Sequence, residues 1–405
     1  MGIPVHRDPS WLRSEIEDVL SFYYPTCVDE ADGGFIAQLD EETGEIYDSE
    51  SKHLVATSRY TANFCRGYRH DGPDWCLSMA ERGVEFLHET HRDPAVGGYD
   101  WLLEGTNPAD RRRVCYGHAF VLLAYAEATE LGIDGAREHL EGAYDLLVDR
   151  FWEPEHSLCK SQYTADWGKA DDYRGQNANM HTCEAMLAAY EATTEQRYLD
   201  RAREIAHALT VELAKETDGL LWEHYTADWD HDMSYNRDDP RHQFRPWGYQ
   251  LGHHVEWAKL LAVLDRYADT EWALSRARAL FDAAVTHGWD TEYGGFYYTV
   301  DPDGSPIVDD KYGWPVAEGI GAAAALYERT GDETYTDWYD RFWEYAEAAL
   351  VAPNRNWYQK CTRDNDPYET EPRPAVEPGY HPIGACVEAI RSFERVSVRD
   401  DGDRV

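Results

Sequence analysis

Residues 293–300 read YGGFYYTV, and five further segments of this kind recur at intervals of about 60 to 75 residues. Each segment combines glycine or asparagine with alternating aromatic residues, which predicts a short β-hairpin. Repetition over this distance indicates a fold built from similar units. The other segments are DGGFIAQL (32–39), VGGYDWLL (96–103), HSLCKSQY (156–163), DGLLWEHY (218–225) and NRNWYQKC (354–361).

Apolar residues at helical spacing fill the stretches between these segments and predict twelve α-helices. Within a pair, the two helices are joined by a few residues, as at 70–73, whereas the next link is long and carries a hairpin. The predicted helices cover residues 9–22, 52–70, 74–91, 114–130, 134–151, 177–193, 195–213, 249–268, 270–287, 313–330, 333–350 and 380–396.

Six helix pairs can stack as an open solenoid or close into a double-ringed barrel. An open solenoid needs polar caps at both ends, but the last segment, EPGYHPIGACVEAIRSF (377–393), is as apolar as a segment from the middle of the chain. We therefore expect an all-α fold: a closed (α/α)6 barrel of twelve helices, with short β-hairpins in the long loops, forming a single domain over residues 1–405. Residues 397–405 are expected to form a disordered tail.

The amino-acid composition limits the classes of protein. Acidic residues number 77 and basic residues 38, which gives a formal net charge of −39, and lysines are rare. Self-repulsion of this size is screened at molar salt, where the Debye length is about 3 Å, so the composition is typical of a salt-rich cytoplasm. Binding to a basic partner is the alternative explanation of the acidity. No basic stripe is available to neutralise phosphates, which argues against nucleic-acid binding.

The sequence shows no targeting or membrane-spanning segment. Its N-terminus is charged where a signal peptide would be apolar, and no apolar run approaches the roughly 18 residues of a membrane span. Eight cysteines occur without a C-x-x-C pair, which indicates reduced, structural thiols. We therefore expect a cytoplasmic protein, a monomer or a homodimer, that does not bind a membrane.

Unusual polar residues open every second helix, each time after a long loop. Parallel helices of one ring present their N-termini on one face, and helix N-termini favour negative charge. We expect these residues to converge on one polar small-molecule pocket. They are Arg59, His118, His181, Glu184, His253, Glu256, Trp314, Glu318 and His381.

Two of these helices repeat a histidine followed three residues later by a glutamate. His181 with Glu184, and His253 with Glu256, each share a helix face. A carboxylate beside an imidazole fixes its tautomer and raises its basicity, which suits acid–base chemistry near neutral pH. His254 is rotated by about 100° from His253 on the helix and is expected to be structural.

Other interpretations apply to single residues and to the cluster. A histidine at the start of a buried helix can be a satisfied polar cap, as for His118, and Trp314 can be core packing. The histidines and glutamates could instead bind a metal. The order here is H-x-x-E, however, whereas di-iron bundles use E-x-x-H, and the H-E-x-x-H zinc motif does not occur. We predict no metal and no other cofactor.

Five stretches resemble the N-acylglucosamine 2-epimerase superfamily of sugar isomerases and epimerases, and the likeness covers nearly the whole chain. It implies a barrel of six helix pairs. FRPWGYQLGHHVEWAKLL (244–261) looks most like the D-mannose isomerase branch, whereas the epimerase branches usually carry Trp-Trp where KYGW (311–314) keeps only the second tryptophan. The other stretches are ATSRYTANF (56–64), YGHAFVLLA (116–124), QNANMHTCEAMLAAYEAT (176–193) and GYHP (379–382).

The resemblance implies a mechanism that needs no metal. The sugar ring opens, a base removes the proton at C2, and a cis-enediolate forms; returning the proton at C1 gives a ketose, and returning it to the opposite face of C2 gives the epimer. His253 and His381 match the acid–base pair, with His381 expected to take the C2 proton and His253 to serve ring opening and the C1 side. Arg59 is expected to stabilise the enediolate oxygen and Glu256 to orient His253.

The other polar residues are expected to bind the monosaccharide substrate. They are His118, Asn177, His181, Glu184, Trp314 and Glu318.

The resulting prediction is a metal-independent aldose–ketose isomerase that interconverts D-mannose and D-fructose. The nearest alternatives are a sugar 2-epimerase and an isomerase of a sulfonated sugar such as sulfoquinovose, with Arg245 as the cation. An inverting glycosidase needs two carboxylates about 6.5–9.5 Å apart, for which Glu184 and Glu318 are candidates, but it leaves four histidines unused. A sugar-binding module without activity needs no paired histidines.

Overall fold

The computed structural model describes residues 4–242, 244–268, 270–369 and 375–402, and these residues form twelve α-helices. Every predicted helix is confirmed, and most ends agree to within a few residues. Helices α1 to α12 cover Pro9–Tyr23, Leu54–Arg69, Trp75–Phe86, Cys115–Glu130, Ala136–Arg150, Gln176–Thr193, Gln196–His207, Leu251–Ala268, Glu271–His287, Gly313–Thr330, Glu333–Tyr345 and Tyr380–Gly402. Short π-helical turns continue α3, α7 and α11 over Leu87–His91, Ala208–Glu212 and Ala346–Leu350.

The helices form two layers. The even-numbered helices contact one another in chain order, and α12 contacts both α10 and α2. Each of α3, α5, α7, α9 and α11 packs against the even-numbered helix before it, and α1 packs against α12. This mostly helical, two-layered arrangement is the one that the repeat predicts, and it is consistent with an α/α barrel.

Their position in the inner layer explains the composition of the even-numbered helices. Most of α10 is buried, and it is rich in glycine and alanine. At Gly319 an added Cβ would lie 2.9 Å from the ring of Phe342 on α11, so the absence of a side chain allows the two helices to approach closely. The outer helix α7, by contrast, buries only one face.

Fifteen short strands lie in the loops of the described residues. Strands β1 to β15 cover Gln38–Leu39, Ile46–Asp48, Ser51–His53, Leu102–Glu104, Asn107–Asp110, Arg113–Val114, Trp152–Glu153, Leu158–Cys159, Gln162–Tyr163, Arg174–Gly175, His224–Tyr225, Thr299–Val300, Pro306–Val308, Lys311–Tyr312 and Lys360–Cys361. All pairs are antiparallel.

These strands fasten the start of each inner helix to the loop of the next unit. The strands before α2, α4, α6 and α10 pair as β3 with β4, β6 with β9, β10 with β11 and β14 with β15. Before α8, Tyr249 pairs with Val300 in the same way. The N-terminal ends of the inner helices are therefore held in a common framework of loops.

The predicted hairpins are largely confirmed. Five of the six segments contain local antiparallel pairing, in β7 with β8 and in the bridges Val28–Phe35, Arg92–Tyr99, Trp289–Phe296 and Val351–Trp357. The sixth segment, 218–225, differs because its strand β11 pairs with β10, which precedes α6, and its local bridge, Tyr225–His231, joins it to residues that follow it instead of residues that precede it.

The end of the chain corrects one prediction. Helix α12 continues to Gly402, so residues 397–402, expected in a disordered tail, are helical, and residues 403–405 lie outside the described residues. All eight cysteines belong to the described part of the chain, and each is buried with a free thiol. Within the ranges described, no helix combines the length and apolar character needed to cross a membrane.

Candidate active site

Each of the six inner helices contributes a residue to one cavity of about 150 Å³. The contributions come from the first turns of these helices, as the polar residues at the helix starts predict. Loop residues, many of them aromatic, complete the wall. The predicted site residues that line the cavity are Arg59, Asn177, His181, His253, Glu256, Trp314 and His381.

His253 is anchored by a carboxylate from a loop. Oε1 of Glu223 lies 2.9 Å from Nδ1 of His253, and Nε2 of Gln176, which lies 2.8 Å from the same nitrogen, donates to Oε2 of Glu223 over 3.0 Å. Trp257 donates to Oε1 of Gln176 over 2.8 Å, which fixes the orientation of that amide. A carboxylate only accepts, so the ring proton of His253 sits on Nδ1 and Nε2 is left to exchange a proton with a ligand.

His381 has a carboxylate on each side of its ring. Oε1 of Glu318 lies 2.7 Å from Nδ1, and Oε1 of Glu377 lies 3.4 Å from Nε2. Burial lowers the pKa of His381, but Glu377 and Glu318 together outweigh burial and raise the pKa to about 10. His381 is therefore an imidazolium while Glu377 remains in contact.

The indole of Trp314 contacts both histidine rings. Its ring centroid lies 5.0 Å from that of His253 and 5.8 Å from that of His381. Gly252 makes room for this arrangement, because a Cβ at that position would lie 2.5 Å from the indole. The two histidine rings thus contact the same indole and line the same part of the cavity.

Arg59 supplies a fixed positive charge to the cavity. Its Nη1 donates to the carbonyl of Val376 over 2.9 Å and to the carboxylate of Glu377, and Nη2 donates to the hydroxyl of Tyr116 over 3.2 Å. The guanidinium also lies 4.3 Å from the ring centroid of Phe120. A cation held in this way, away from water, is suited to stabilise negative charge that develops on a ligand.

Several polar groups on α6 and α8 are ready to bind hydroxyl groups. His181 donates from Nδ1 to Glu184 over 2.8 Å, and burial lowers the pKa of His181 to about 4, so its Nε2 is an acceptor. Oδ1 of Asn177 and both carboxyl oxygens of Glu256 are buried without a hydrogen-bond partner among the described residues. Burial and the neighbouring Glu318 raise the pKa of Glu256 well above its usual value, which favours the neutral form of this carboxyl.

A buried lysine provides positive charge beneath the cavity. Lys259 is buried, its ammonium contacts Glu318, and it lies 4.0 Å from Glu184. Burial lowers the pKa of Lys259, but these carboxylates outweigh burial and raise it, so the lysine stays charged. A cation already in contact with these carboxylates disfavours a metal at the same place. The two groups with metal-binding side chains are His181, Glu184 and Glu256, and Glu256, Glu318 and His381.

Three predicted substrate-binding residues lie behind the cavity wall. Glu184 and Glu318 bond to the cavity histidines His181 and His381 and do not line the cavity themselves. His118 is structural, which corrects its assignment to the substrate: Nδ1 donates to the carbonyl of Val114 over 2.8 Å, and Nε2 accepts from the backbone of Tyr99 over 3.2 Å. Burial lowers the pKa of His118 to about 4, as expected of a neutral core imidazole.

The predicted partnership of Glu256 with His253 is also corrected. Nδ1 of His253 is bonded to Glu223, and Glu256 clusters instead with Glu318 and His381. A spacing of three residues places two side chains on one face of a helix. In the inner layer of this fold, the packing of the neighbouring helices determines which groups those side chains contact.

The structure also shows the surroundings of His254 and Arg245. His254 is structural as predicted, because Nε2 accepts from the backbone of Leu221 over 3.0 Å and Nδ1 donates to the carbonyl of Gln250 over 2.9 Å. Arg245, the candidate cation for a sulfonated sugar, stacks over the ring of Tyr173 at 3.9 Å and is not among the residues that line the cavity.

Three residues that contact the cavity histidines or Arg59 were not predicted from the sequence: Gln176, Glu223 and Glu377. Each lies within or beside a stretch that drew attention: Glu223 in the aromatic segment 218–225, Gln176 at the start of α6, and Glu377 just before GYHP (379–382). Acidic residues are so common in this chain that the sequence does not show which of them contact the cavity histidines. Only the contacts in the folded structure identify them.

The fold and the cavity together define the class of protein. Each of two histidines has Nδ1 held by a carboxylate, which leaves Nε2 as the nitrogen that can exchange a proton, as in an enzyme that moves protons on a small polar molecule. The family follows from sequence comparison: the N-acylglucosamine 2-epimerase (GlcNAc 2-epimerase) family profile matches residues 34–385, and the chain belongs to this family.

The chain is similar over almost its whole length to two curated proteins. It is 40% identical to the D-mannose isomerase of Marinomonas mediterranea, with 97% of this chain and 100% of that protein covered. It is 38% identical to the D-mannose isomerase of Thermobifida fusca, with 92% and 89% covered.

Solved structures extend the comparison to the fold. A crystal structure of D-mannose isomerase matches with a TM-score of 0.92 at 40% identity, covering 96% of this chain and 100% of that one. The cellobiose 2-epimerase from Bacillus thermoamylovorans matches with a TM-score of 0.82 at 18% identity, covering 95% and 98%, which shows a shared fold.

Proposed function

We propose that this protein is a metal-independent aldose–ketose isomerase that interconverts D-mannose and D-fructose through a cis-enediolate. The observation that carries the proposal is the pair of His253 and His381, each with a carboxylate at Nδ1 and both against Trp314. The similar D-mannose isomerases support the choice of sugar.

In the proposed reaction one proton moves between adjacent carbons of the open-chain sugar. His253 assists ring opening, and Nε2 of His381 takes the proton from C2. The electron pair of that C–H bond forms the C1–C2 double bond, and the carbonyl oxygen becomes the enediolate oxygen. Protonation of C1 from the side of His253, with transfer of the proton on O2 to O1 as the C2 carbonyl forms, then gives the ketose, and the proton held by His381 returns to solvent. Only Nε2 of His381 can serve, because Glu318 holds Nδ1.

The remaining cavity groups hold and stabilise the sugar in this proposal. Arg59 faces the enediolate oxygen, since its guanidinium is fixed by contacts on several sides. Asn177 and Glu256 satisfy their buried polar atoms with sugar hydroxyls, and Nε2 of His181 accepts another hydroxyl. Trp314 packs against the carbon chain.

A sugar 2-epimerase is the second candidate. The chain is 24% identical over 404 residues to a cellobiose 2-epimerase of Ruminococcus albus. The same two histidines could return the proton to the opposite face of C2, so the product decides between the two reactions. An inverting glycosidase is less well supported, because Glu184 and Glu318 are both engaged with histidines behind the cavity wall.

We also propose the architecture, the cellular environment and the oligomeric state of this protein. The contacts of α12 with α10 and α2 support a closed (α/α)6 barrel that forms one domain over residues 1–405. The net charge of −39 supports a protein adapted to a salt-rich cytoplasm, where charge repulsion is screened. Either a monomer or a homodimer would fit, since the cavity is built from one chain.

Proton exchange in D₂O tests the reaction. The EDTA-treated protein is incubated at high salt with mannose, glucose, fructose or cellobiose, and NMR records the product and the carbon that acquires deuterium. We expect fructose from mannose, with deuterium at C1. Glucose from mannose would instead identify an epimerase. Activity that appears only with an added divalent metal, or product formed without any exchange, would contradict the proposal.

Variants of single histidines test the assignment of His253 and His381 as the acid–base pair. His253→Gln and His381→Gln should each lose roughly 10²–10⁴ of the rate, the usual contribution of a general acid or base. His118→Gln is the matched control, because His118 is equally buried but bonded to backbone on both nitrogens. Loss of activity in the control to the same extent would show that the effect is structural.

A further inference from the structure

One carboxylate oxygen contacts both groups on which the proposed chemistry depends. Oε1 of Glu377 accepts a hydrogen bond from Nη1 of Arg59 and lies 3.4 Å from Nε2 of His381. Because Glu318 holds Nδ1 of His381, Nε2 is the nitrogen with which this histidine can remove a proton. In the empty cavity, therefore, Glu377 occupies the place that the reacting sugar needs.

The position of this oxygen corresponds to that of an enediolate oxygen. In the proposed reaction Arg59 stabilises a negative oxygen while His381 exchanges a proton with the neighbouring carbon. Glu377 presents a negative oxygen to the same two groups. The cavity is thus arranged for an oxyanion between a guanidinium and an imidazole, and the chain supplies one from its own loop when no substrate is bound.

Glu377 is better placed to move than the groups around it. Its side chain is 20% exposed, whereas the side chains of Arg59 and Glu318 are each 2% exposed. It belongs to the loop that precedes α12, and that loop is anchored independently by the bond from Arg59 to the carbonyl of Val376. A rotation of the side chain toward solvent would leave these other contacts in place.

We propose that Glu377 is a positioning residue whose carboxylate fills the oxyanion position between Arg59 and His381 in the empty enzyme and is displaced by the open-chain sugar. As the carboxylate leaves, the proton on Nε2 passes to Oε1 and then to solvent, so that His381 becomes the neutral base. The proposal rests on the proposed function for the identity of the sugar, but not for the existence of an anion position.

Formate binding tests the anion position without any sugar. Removal of the carboxylate in Glu377→Ala leaves the buried guanidinium of Arg59 without this anion, beside an imidazole that can take up a proton together with a new anion, so formate should bind there. Calorimetry should detect formate binding to this variant and none to the wild type. The matched control is Glu191→Ala, which removes a carboxylate that pairs with Arg391, is 16% exposed and lies outside the cavity. Equal binding to all three proteins, or none to a folded Glu377→Ala, would overturn the proposal.

Kinetics of Glu377→Gln test displacement by the sugar. The amide keeps the shape but not the charge, so it competes less well for Arg59 and His381, and KM should fall roughly tenfold while kcat changes less than roughly threefold. A higher KM, or a kcat lowered as far as in His381→Gln, would overturn the proposal, and this variant decides the point if Glu377→Ala does not fold. A wild-type protein that binds no sugar would refute the proposed function, while the formate result would still stand.

Discussion

Replacement of Glu223 by glutamine tests how much the anchoring of His253 contributes to the reaction, because the variant keeps the histidine itself. Oε1 of Glu223 lies 2.9 Å from Nδ1 of His253, and both groups are buried. When His253 accepts a proton, this contact becomes a charge-assisted hydrogen bond, whose net value is about 1.5–3 kcal/mol. At about 1.36 kcal/mol for each factor of ten, its loss alone slows the reaction roughly 10- to 150-fold.

The glutamine amide in Glu223→Gln has a second effect, because it changes which ring nitrogen of His253 carries the proton. A carboxylate accepts only, whereas an amide nitrogen can donate to Nδ1. A donor at Nδ1 moves the ring proton to Nε2, where His253 can no longer accept one from the sugar. Together the two effects predict that kcat of Glu223→Gln falls roughly 10²–10³-fold while KM changes little.

Initial rates of mannose conversion, measured over a range of sugar concentrations, check this prediction. Circular dichroism should show an unchanged fold, and Glu191→Gln, the same chemical change at a carboxylate outside the cavity, should keep nearly full activity. A kcat for Glu223→Gln within about threefold of the wild type would refute the idea that this carboxylate sets the protonation of His253.

Three further outcomes concern stability. His254→Ala should lower the free energy of unfolding in urea by about 1–3 kcal/mol, because the backbone N–H of Leu221 loses its acceptor, while the folded variant keeps its kcat. The pKa of His381 rises from 6.5 to about 10 on folding, so its stabilisation is complete below pH 6.5 and is lost as pH rises through 10; the melting temperature should decline over that interval, and less so in His381→Gln. Raising KCl from 0.1 to 1 M, which shortens the Debye length from about 10 to about 3 Å, should raise the melting temperature, and an unchanged value would argue against salt adaptation.

The repeat and the helices could be predicted because they depend on local pattern. Turn segments rich in glycine and aromatic residues recur at a regular interval, and the helices between them carry apolar residues at helical spacing. The inner layer was recognisable for the same reason: only helices surrounded by other helices need so many small residues, as Gly319 shows against Phe342. Strand pairing was less predictable, and β11 pairs with β10 across a helix pair that lies between them in the chain.

The site could be predicted only in part, because the sequence gives the position of a residue on its helix but not the groups that its side chain contacts. That Arg59, His253 and His381 share a cavity follows from their positions at the starts of inner helices. The role of His118 does not follow, since it opens an inner helix in the same way but turns both nitrogens to the backbone. The choice between a cavity and a backbone partner depends on how loops pack, which sequence spacing does not describe.

The anchoring carboxylates show why spacing misleads at this site. His253 takes its carboxylate from the loop before α8, and His381 takes its carboxylate from Glu318 on α10, the inner helix before its own. Only His181 uses a glutamate three residues away. A partner from a neighbouring element holds an imidazole relative to the whole cavity, whereas a partner on the same helix holds it only relative to that helix. The two histidines that must meet one sugar from different helices are the two with partners from elsewhere, as proton transfer between fixed positions requires.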